Sequence, residues 1–120
     1  MKVIIDLIED IRTAISNEKS FSLVAMGLEE NDAGEFLPVW EANISSMKVD
    51  DEQKRLFLFL GKTQFVSIGD LLEEVNALSN EKMMHEVCVS YSKDDTRLDS
   101  ALLGFGESLE DKKYLLFLPA

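Results

Sequence analysis

The sole histidine, His85, and the sole cysteine, Cys88, have side chains typical of nucleophilic or acid–base catalysis. They are three residues apart in a segment that is predicted to be a strand. Because side chains alternate along a strand, the imidazole and the thiol should point to opposite faces. A single histidine also excludes a metal cluster built from several histidines. We therefore expect Cys88 to be a small buried side chain and neither residue to be catalytic.

Clusters of acidic residues are the other candidate for chemistry. Asp50, Asp51 and Glu52 are consecutive, and Asp94-Asp95 is followed by Asp99. A calcium loop needs fixed ligand spacing with a central glycine and a terminal glutamate, and neither cluster has them. The glycines of the segment 104–106 lack the Lys-Ser/Thr of a phosphate-binding loop. The sequence thus predicts no catalytic, cofactor-binding or metal site, and no enzymatic activity.

The composition is that of a globular protein with an acidic surface. The 120 residues are 46% hydrophobic and carry a net charge of −11, which predicts a single domain over residues 1–120. Without clustered Lys and Arg, nucleic acid and anionic membranes are poor partners. A membrane-spanning run is absent from the sequence. A lone cysteine fits a reducing compartment, and we expect a cytoplasmic location.

Apolar periodicity predicts two amphipathic helices. The first covers roughly residues 3–17, and the second carries the stripe Ile68, Leu71, Leu72, Val75 and Leu78. Ser67 is predicted to cap the second helix together with Asp70, and Asn17 and Asn80 are predicted at the two helix ends. A linker is expected at residues 61–66. Strands are predicted at residues 21–28, 37–49, 56–60, 84–91, 98–105 and 114–118.

The order of these elements repeats. Ser16-Asn17-Glu18-Lys19 returns as Ser79-Asn80-Glu81-Lys82, and each half closes with a charged turn and an apolar strand. This predicts a tandem helix–strand–strand–strand duplication, with repeats at approximately 3–60 and 67–118 and pseudo-two-fold symmetry. The expected fold is α+β, with a largely antiparallel six-stranded sheet and two helices on one face.

The last strand of each half has no alternation of polar and apolar residues. Both faces of Leu56–Leu60 and of Tyr114–Leu118 are apolar, whereas two helices cover one face only. The other face must be closed by a second layer when the sheet curls or by another molecule, and the sequence leaves both open. The predicted interface residues are Phe57, Phe59, Leu116, Leu118, Trp40 and Met84.

These features favour a small acidic cytoplasmic interaction protein that forms a homodimer or binds a protein partner through the helix-free sheet face. The alternative is a small-molecule-binding or regulatory domain with its pocket at the seam between the repeats. A duplicated helix-plus-strands unit is similar to sliding-clamp domains, but their helices face DNA and the acidic helices here would repel it. In size and acidity the chain is similar to type III secretion chaperones, which implies a chaperone-like dimer. It departs from them where their second half ends in a helix.

Overall fold

The computed structural model describes residues 1–62 and 64–120, and the predicted linker 61–66 therefore includes one residue, Thr63, that lies outside the described part. The described chain forms an α+β fold of two helices and seven strands. In chain order these are α1 (Ile4–Ile15), β1 (Ser22–Glu30), β2 (Phe36–Asp50), β3 (Arg55–Leu60), α2 (Ile68–Asn76), β4 (Glu86–Lys93), β5 (Thr96–Ala101), β6 (Gly104–Ser108) and β7 (Lys113–Pro119).

Both helices form where the apolar stripes predict them. At the start of α2 the Ser67 hydroxyl accepts a hydrogen bond from the Asp70 amide (3.1 Å), and the Asp70 carboxylate accepts one from the Ser67 amide (3.0 Å). The predicted capping box is therefore confirmed. The buried residues of α2 are Ile68, Leu71, Leu72 and Val75.

The two helices end differently. After α1, Asn17 adopts the left-handed conformation that suits a helix end. α2 ends at Asn76, and the chain then enters a 3₁₀ turn at Lys82–Met84. The predicted helix end at Asn80 was therefore wrong, and the following strand begins at Glu86, two residues later than predicted.

The strands form one mixed sheet in the order β5-β4-β3-β2-β1-β7-β6. β3 lies parallel to β4, and β1 lies parallel to β7, while the other described pairings are antiparallel. The sheet thus differs from the predicted six largely antiparallel strands. One predicted strand, residues 98–105, is divided into β5 and β6 because its partner changes from β4 to β7. The β3–β4 pair is parallel because α2 makes the crossover between them.

β2 is fifteen residues long and is shared by two neighbours. Residues 36–43 pair with β1, and residues 44–50 pair with β3 on the other edge. β5 and β6 divide their pairing between β4 and β7 in the same way. Because β3 ends opposite Ile44, no described strand lies along that edge of β2 between Phe36 and Asn43.

The main core lies between the sheet and the helices. α1 and α2 both contribute to a single buried cluster, so they pack on the same side of the sheet. Strand residues reach this cluster at every second position, as the pleat requires. The strand residues of the cluster are Leu23, Ala25, Ile44, Leu56, Leu58, Val87, Val89, Tyr114, Leu116 and Leu118.

The start of each helix is bonded to the first strand of the other half. The Ile4 amide donates to the His85 carbonyl (3.0 Å), and the Ile68 amide donates to the Phe21 carbonyl (2.8 Å). Two residues further on, the amides of Val87 and Leu23 donate to the carbonyls of Lys2 and Val66, both at 2.9 Å. The two sets of contacts are related by a shift of 64 residues along the chain.

Candidate functional site

Four of the predicted interface residues lie on two different faces of the sheet. Phe57 and Phe59 point away from the helices. Leu116 and Leu118 belong to the helix-covered core and are fully buried. The alternation of side chains puts their neighbours, Leu115 and Phe117, on the helix-free face instead. The predicted set therefore does not form one surface.

The other two predicted residues, Trp40 and Met84, lie in different surroundings. Trp40 is half-buried on the helix side, where its indole covers Gly27 and lies 5.5 Å from the Tyr91 ring, measured between centroids. Met84 is exposed (64%) at the end of the 3₁₀ turn. Nothing in the described contacts brings Met84 to Trp40 or to Phe57.

The centre of the helix-free face is covered by long side chains of the same chain. The Arg97 guanidinium lies 5.2 Å from the Phe57 ring centroid and 5.7 Å from that of Phe59. Its Nε donates to the Ser90 hydroxyl (2.9 Å) and to the Asp99 carboxylate (3.0 Å). Arg97 thus reaches across β4 and covers the aromatic rings of β3 with an apolar stem and a cation.

A second cover crosses β1. Lys113 on β7 donates to the Glu41 carboxylate on β2 (3.0 Å), and this hydrogen bond raises the pKa of Lys113. The pair passes diagonally over β1, where Val24 is buried. At the centre of this face, charged side chains of the same chain cover the apolar residues, a possibility that the sequence-based expectation did not include.

Exposed apolar residues are concentrated instead at the start of β2, directly after the β1–β2 turn. Phe36, Leu37 and Val39 are 54%, 48% and 50% exposed. Leu103 is exposed beside them, and a shallow depression of about 310 Å³ is lined by Leu28, Phe36, Leu103, Gly104 and Phe117. We call Leu28, Phe36, Leu37, Val39, Leu103 and Phe117 the apolar end. The same hairpin carries the exposed acids Glu29, Glu30, Asp32 and Glu35.

A cleft of about 590 Å³ adjoins the apolar end. It opens where β3 stops at Leu60 while β2 and β4 continue on either side. Trp40 and Val39 line it on the β2 side, and Tyr91, Ser92 and Lys93 line it on the β4 side. Glu29 and Ala120 complete the lining. We call this cleft the slot.

Sequence reasoning missed the apolar end and most of the slot, but a signal was present. The second predicted strand (residues 37–49) is much longer than the third (residues 56–60), so a hairpin of the two leaves one edge unpaired. Phe36 and Leu37 directly follow an acidic turn, where a strand tip is normally polar.

Cys88, His85 and Asp51, which lie outside the slot, are held in structural contacts. Burial, with Glu86 close by, raises the pKa of the Cys88 thiol to about 12, so the thiol is protonated at neutral pH. The His85 ring is buried and lies 3.2 Å from the Asp51 carboxylate, which also accepts from Lys82 at 3.0 Å. These hydrogen bonds lower the pKa of Asp51.

Burial, with the hydrogen bond that its hydroxyl donates to Asp10 (2.6 Å), raises the pKa of Tyr114. Within residues 1–62 and 64–120, no three His, Cys, Asp or Glu side chains are grouped to hold a metal ion. Neither described helix has the length and apolar character needed to cross a bilayer.

A scan against protein-family models found no match, and searches of the curated proteins and of the solved structures likewise found none.

Proposed function

We propose that the protein is a non-catalytic binding module that recognises another protein through the apolar end and the adjoining slot. The observation that carries this proposal is the exposure of Phe36, Leu37 and Val39 on a strand whose second edge is unpaired. Clustered exposed apolar side chains are typical of interaction surfaces. An unpaired strand edge presents backbone donors and acceptors to a partner.

The charge around this surface favours a basic partner over a second copy of the chain. Glu29, Glu30, Asp32 and Glu35 lie in the same hairpin as the apolar residues, and the whole chain has a net charge of −11. Two copies that met at this surface would bring their acids together, which is unfavourable. We therefore infer a partner segment with apolar and basic residues rather than a homodimer. The predicted cytoplasmic location stays a prediction.

The test is capture of partners from a cell extract with matched surface variants. The double variant Phe36→Ser/Leu37→Ser removes two exposed side chains of the apolar end. Leu109→Ser is the control, because Leu109 is 65% exposed in the β6–β7 turn and lies outside the apolar end. Proteins that are retained by the wild type and by Leu109→Ser, and lost with the double variant, support the proposal. Equal retention by all three would contradict it.

Light scattering tests whether the protein self-associates. A monomer is expected at tens of micromolar. A dimer that the double variant dissociates would assign the apolar end to self-association instead.

A small-molecule ligand in the slot is a second candidate, and the aromatic pair Trp40–Tyr91 favours it. Slots of this volume with a few polar groups, such as Glu29 and Lys93 here, are typical of ligand sites. Because Trp40 is the sole tryptophan, its fluorescence reports binding directly. Hits from a fragment library that change this emission, and that Tyr91→Ala abolishes, would favour the small-molecule function.

We also infer that the chain contains the predicted duplication, with repeats at approximately 3–60 and 67–118. The matched hydrogen bonds at the start of the two helices support it. The division of β2 between two neighbours and the matching division of β5 and β6 support it as well. In this interpretation the slot lies at the seam, since β1, β2 and β3 line it from the first repeat and β4 from the second.

A further inference from the structure

We propose that the partner binds as an extended peptide that fills the slot in line with β3 and hydrogen-bonds to β2 on one side and to β4 on the other. This inference rests on the proposed function and specifies how the partner is held. Addition of a strand gives affinity through main-chain hydrogen bonds and specificity through alternate side chains.

The two walls of the slot are strand edges that β3 leaves unpaired. β3 pairs with β2 up to Ile44 and with β4 up to Ser90. Beyond these residues β2 continues back to Phe36, and β4 continues to Lys93. Because neighbouring strands are about 4.8 Å apart, β2 and β4 are roughly 9.6 Å apart where β3 lies between them, and a strand added in line with β3 needs the same spacing.

The backbone of β2 presents hydrogen-bonding groups to this space. The Asn43 carbonyl accepts from the Gly61 amide (3.2 Å), so the backbone of Asn43 points to the β3 edge. Backbone groups repeat their direction at every second residue of a strand. The amide and carbonyl of Glu41 therefore point to the same edge of β2, beyond the Gly61 bond.

The chain does not continue β3 beyond Leu60. Gly61 lies against the Ser45 side chain, where an added Cβ would be 2.6 Å from the Ser45 Cβ. Further on, Val66 lies at the other edge of β2, where its amide donates to the Ile44 carbonyl (2.8 Å) and its carbonyl accepts from Leu23. Among residues 1–62 and 64–120, no strand pairs with the edges of β2 and β4 at the slot.

The side chains around the slot define the composition of the peptide. Trp40 and Tyr91 are in contact on the helix side and form the floor of the slot. The peptide residue that points to them is therefore small and apolar, or the two rings move apart to admit a larger one. Glu29 and Lys93 both line the slot. The exposed acids Glu30 and Glu35 lie in the same hairpin as Glu29, and Asp94 and Asp95 directly follow Lys93, so in the sequence around this end of the slot the acids outnumber the cation. Residues that point outward at this end are therefore basic.

The experiment selects peptides from a display library of random ten-residue sequences and measures the synthesised binders by Trp40 fluorescence and by calorimetry. Each backbone amide of the best binder is then N-methylated in turn. A strand between two edges donates alternately to both, so N-methylation at several consecutive positions should weaken binding at least tenfold. Val39→Arg, which fills the slot wall, should weaken it similarly, and Leu109→Arg should leave it unchanged.

The other outcomes are distinct. Loss at alternate positions only means pairing to a single edge and overturns the insertion between β2 and β4. Binders that tolerate both N-methylation and Val39→Arg but fail with Phe36→Ser/Leu37→Ser overturn strand addition and leave the proposed function standing. A library that yields no binder sensitive to any of these variants overturns both.

Discussion

The ends of β3 and β7 differ although the two strands have similar sequences. β3 ends at Leu60, the Gly61 amide donates one further hydrogen bond to the Asn43 carbonyl of β2 (3.2 Å), and the slot lies beyond. After Leu118, Pro119 continues along β1 opposite Leu28, and the Ala120 amide donates to the Leu28 carbonyl (2.9 Å). Among the described residues, the chain itself continues one strand path and does not continue the other.

This difference indicates where a binding surface arises on a sheet with two apolar faces. The centre of the helix-free face is covered by Arg97 and by the Lys113–Glu41 pair in both parts of the sheet. Near the end of β3, exposed apolar groups occur together with the unpaired backbone of an interior strand, β2. The comparison thus predicts that the central residues of β3 and β7 contribute equally to stability and that the ends of the two strands differ.

The largest expected effect tests the equivalence of the strand cores. Leu58→Ala in β3 and Leu116→Ala in β7 remove side chains that are both fully buried on the helix side. Each should lower the free energy of unfolding by about 2–5 kcal/mol, because a cavity is left in the core. Urea denaturation measures both, with exposed Leu109→Ala as the control. A cost below about 1 kcal/mol for one of the two would break the equivalence.

A contact present in β7 alone gives the next effect. Tyr114 donates a hydrogen bond to Asp10 of α1, whereas the matching β3 residue, Leu56, has no hydroxyl. Tyr114→Phe should cost about 1.5–3 kcal/mol of stability, since the bond involves a charged acceptor. Tyr91→Phe is the control, with a change of at most about 0.5 kcal/mol. Equal effects of the two variants would show that the Asp10 contact contributes little.

The close contact between Gly61 and Ser45 gives a smaller expected effect on stability. A Cβ at this position would lie 2.6 Å from the Ser45 Cβ, so Gly61→Ala should destabilise by about 1–2 kcal/mol. Ser45→Gly should restore most of the loss in the double variant. Gly104→Ala is the matched control, because nothing lies within 4 Å of its added Cβ. If Gly61→Ala were as harmless as Gly104→Ala, the turn would not be fixed by this contact.

The smallest effect concerns pH. Hydrogen bonds from Lys82 and His85 lower the pKa of Asp51 below its ordinary value of 3.8. A lowered carboxyl pKa contributes stability above the unfolded value, and this contribution is lost as the pH falls below 3.8. The melting temperature of Asp51→Asn should therefore lie below that of the wild type at pH 6, and the two should converge toward pH 3. A difference that grew with acidity would contradict the contact.

The helices and most strand positions could be predicted because they depend on local patterns. Apolar periodicity predicted both helices, and Ser67 with Asp70 predicted the cap of α2. The parallel pairings could not be predicted in this way, because they depend on which strands meet after a crossover. The division of residues 98–105 into β5 and β6 was missed for the same reason, since it reflects a change of partner strand.

The candidate site was less predictable than the fold. Phe57 and Leu116 lie in similar apolar strands in which no polar residue marks the exposed face. Only the register of each strand decides which of the two side chains faces the helices. The cover of Phe57 by Arg97 depends on a cation two strands away. A long charged side chain that lies on an apolar surface leaves no pattern in the sequence.

The most direct test of the central claim is amide hydrogen exchange with and without a peptide selected from the library. The account predicts slower exchange at Glu41 and at Tyr91–Lys93, the two walls of the slot, and unchanged exchange at the β7 end. Protection of Phe57–Phe59 or of the helices, with the slot walls unchanged, would contradict it.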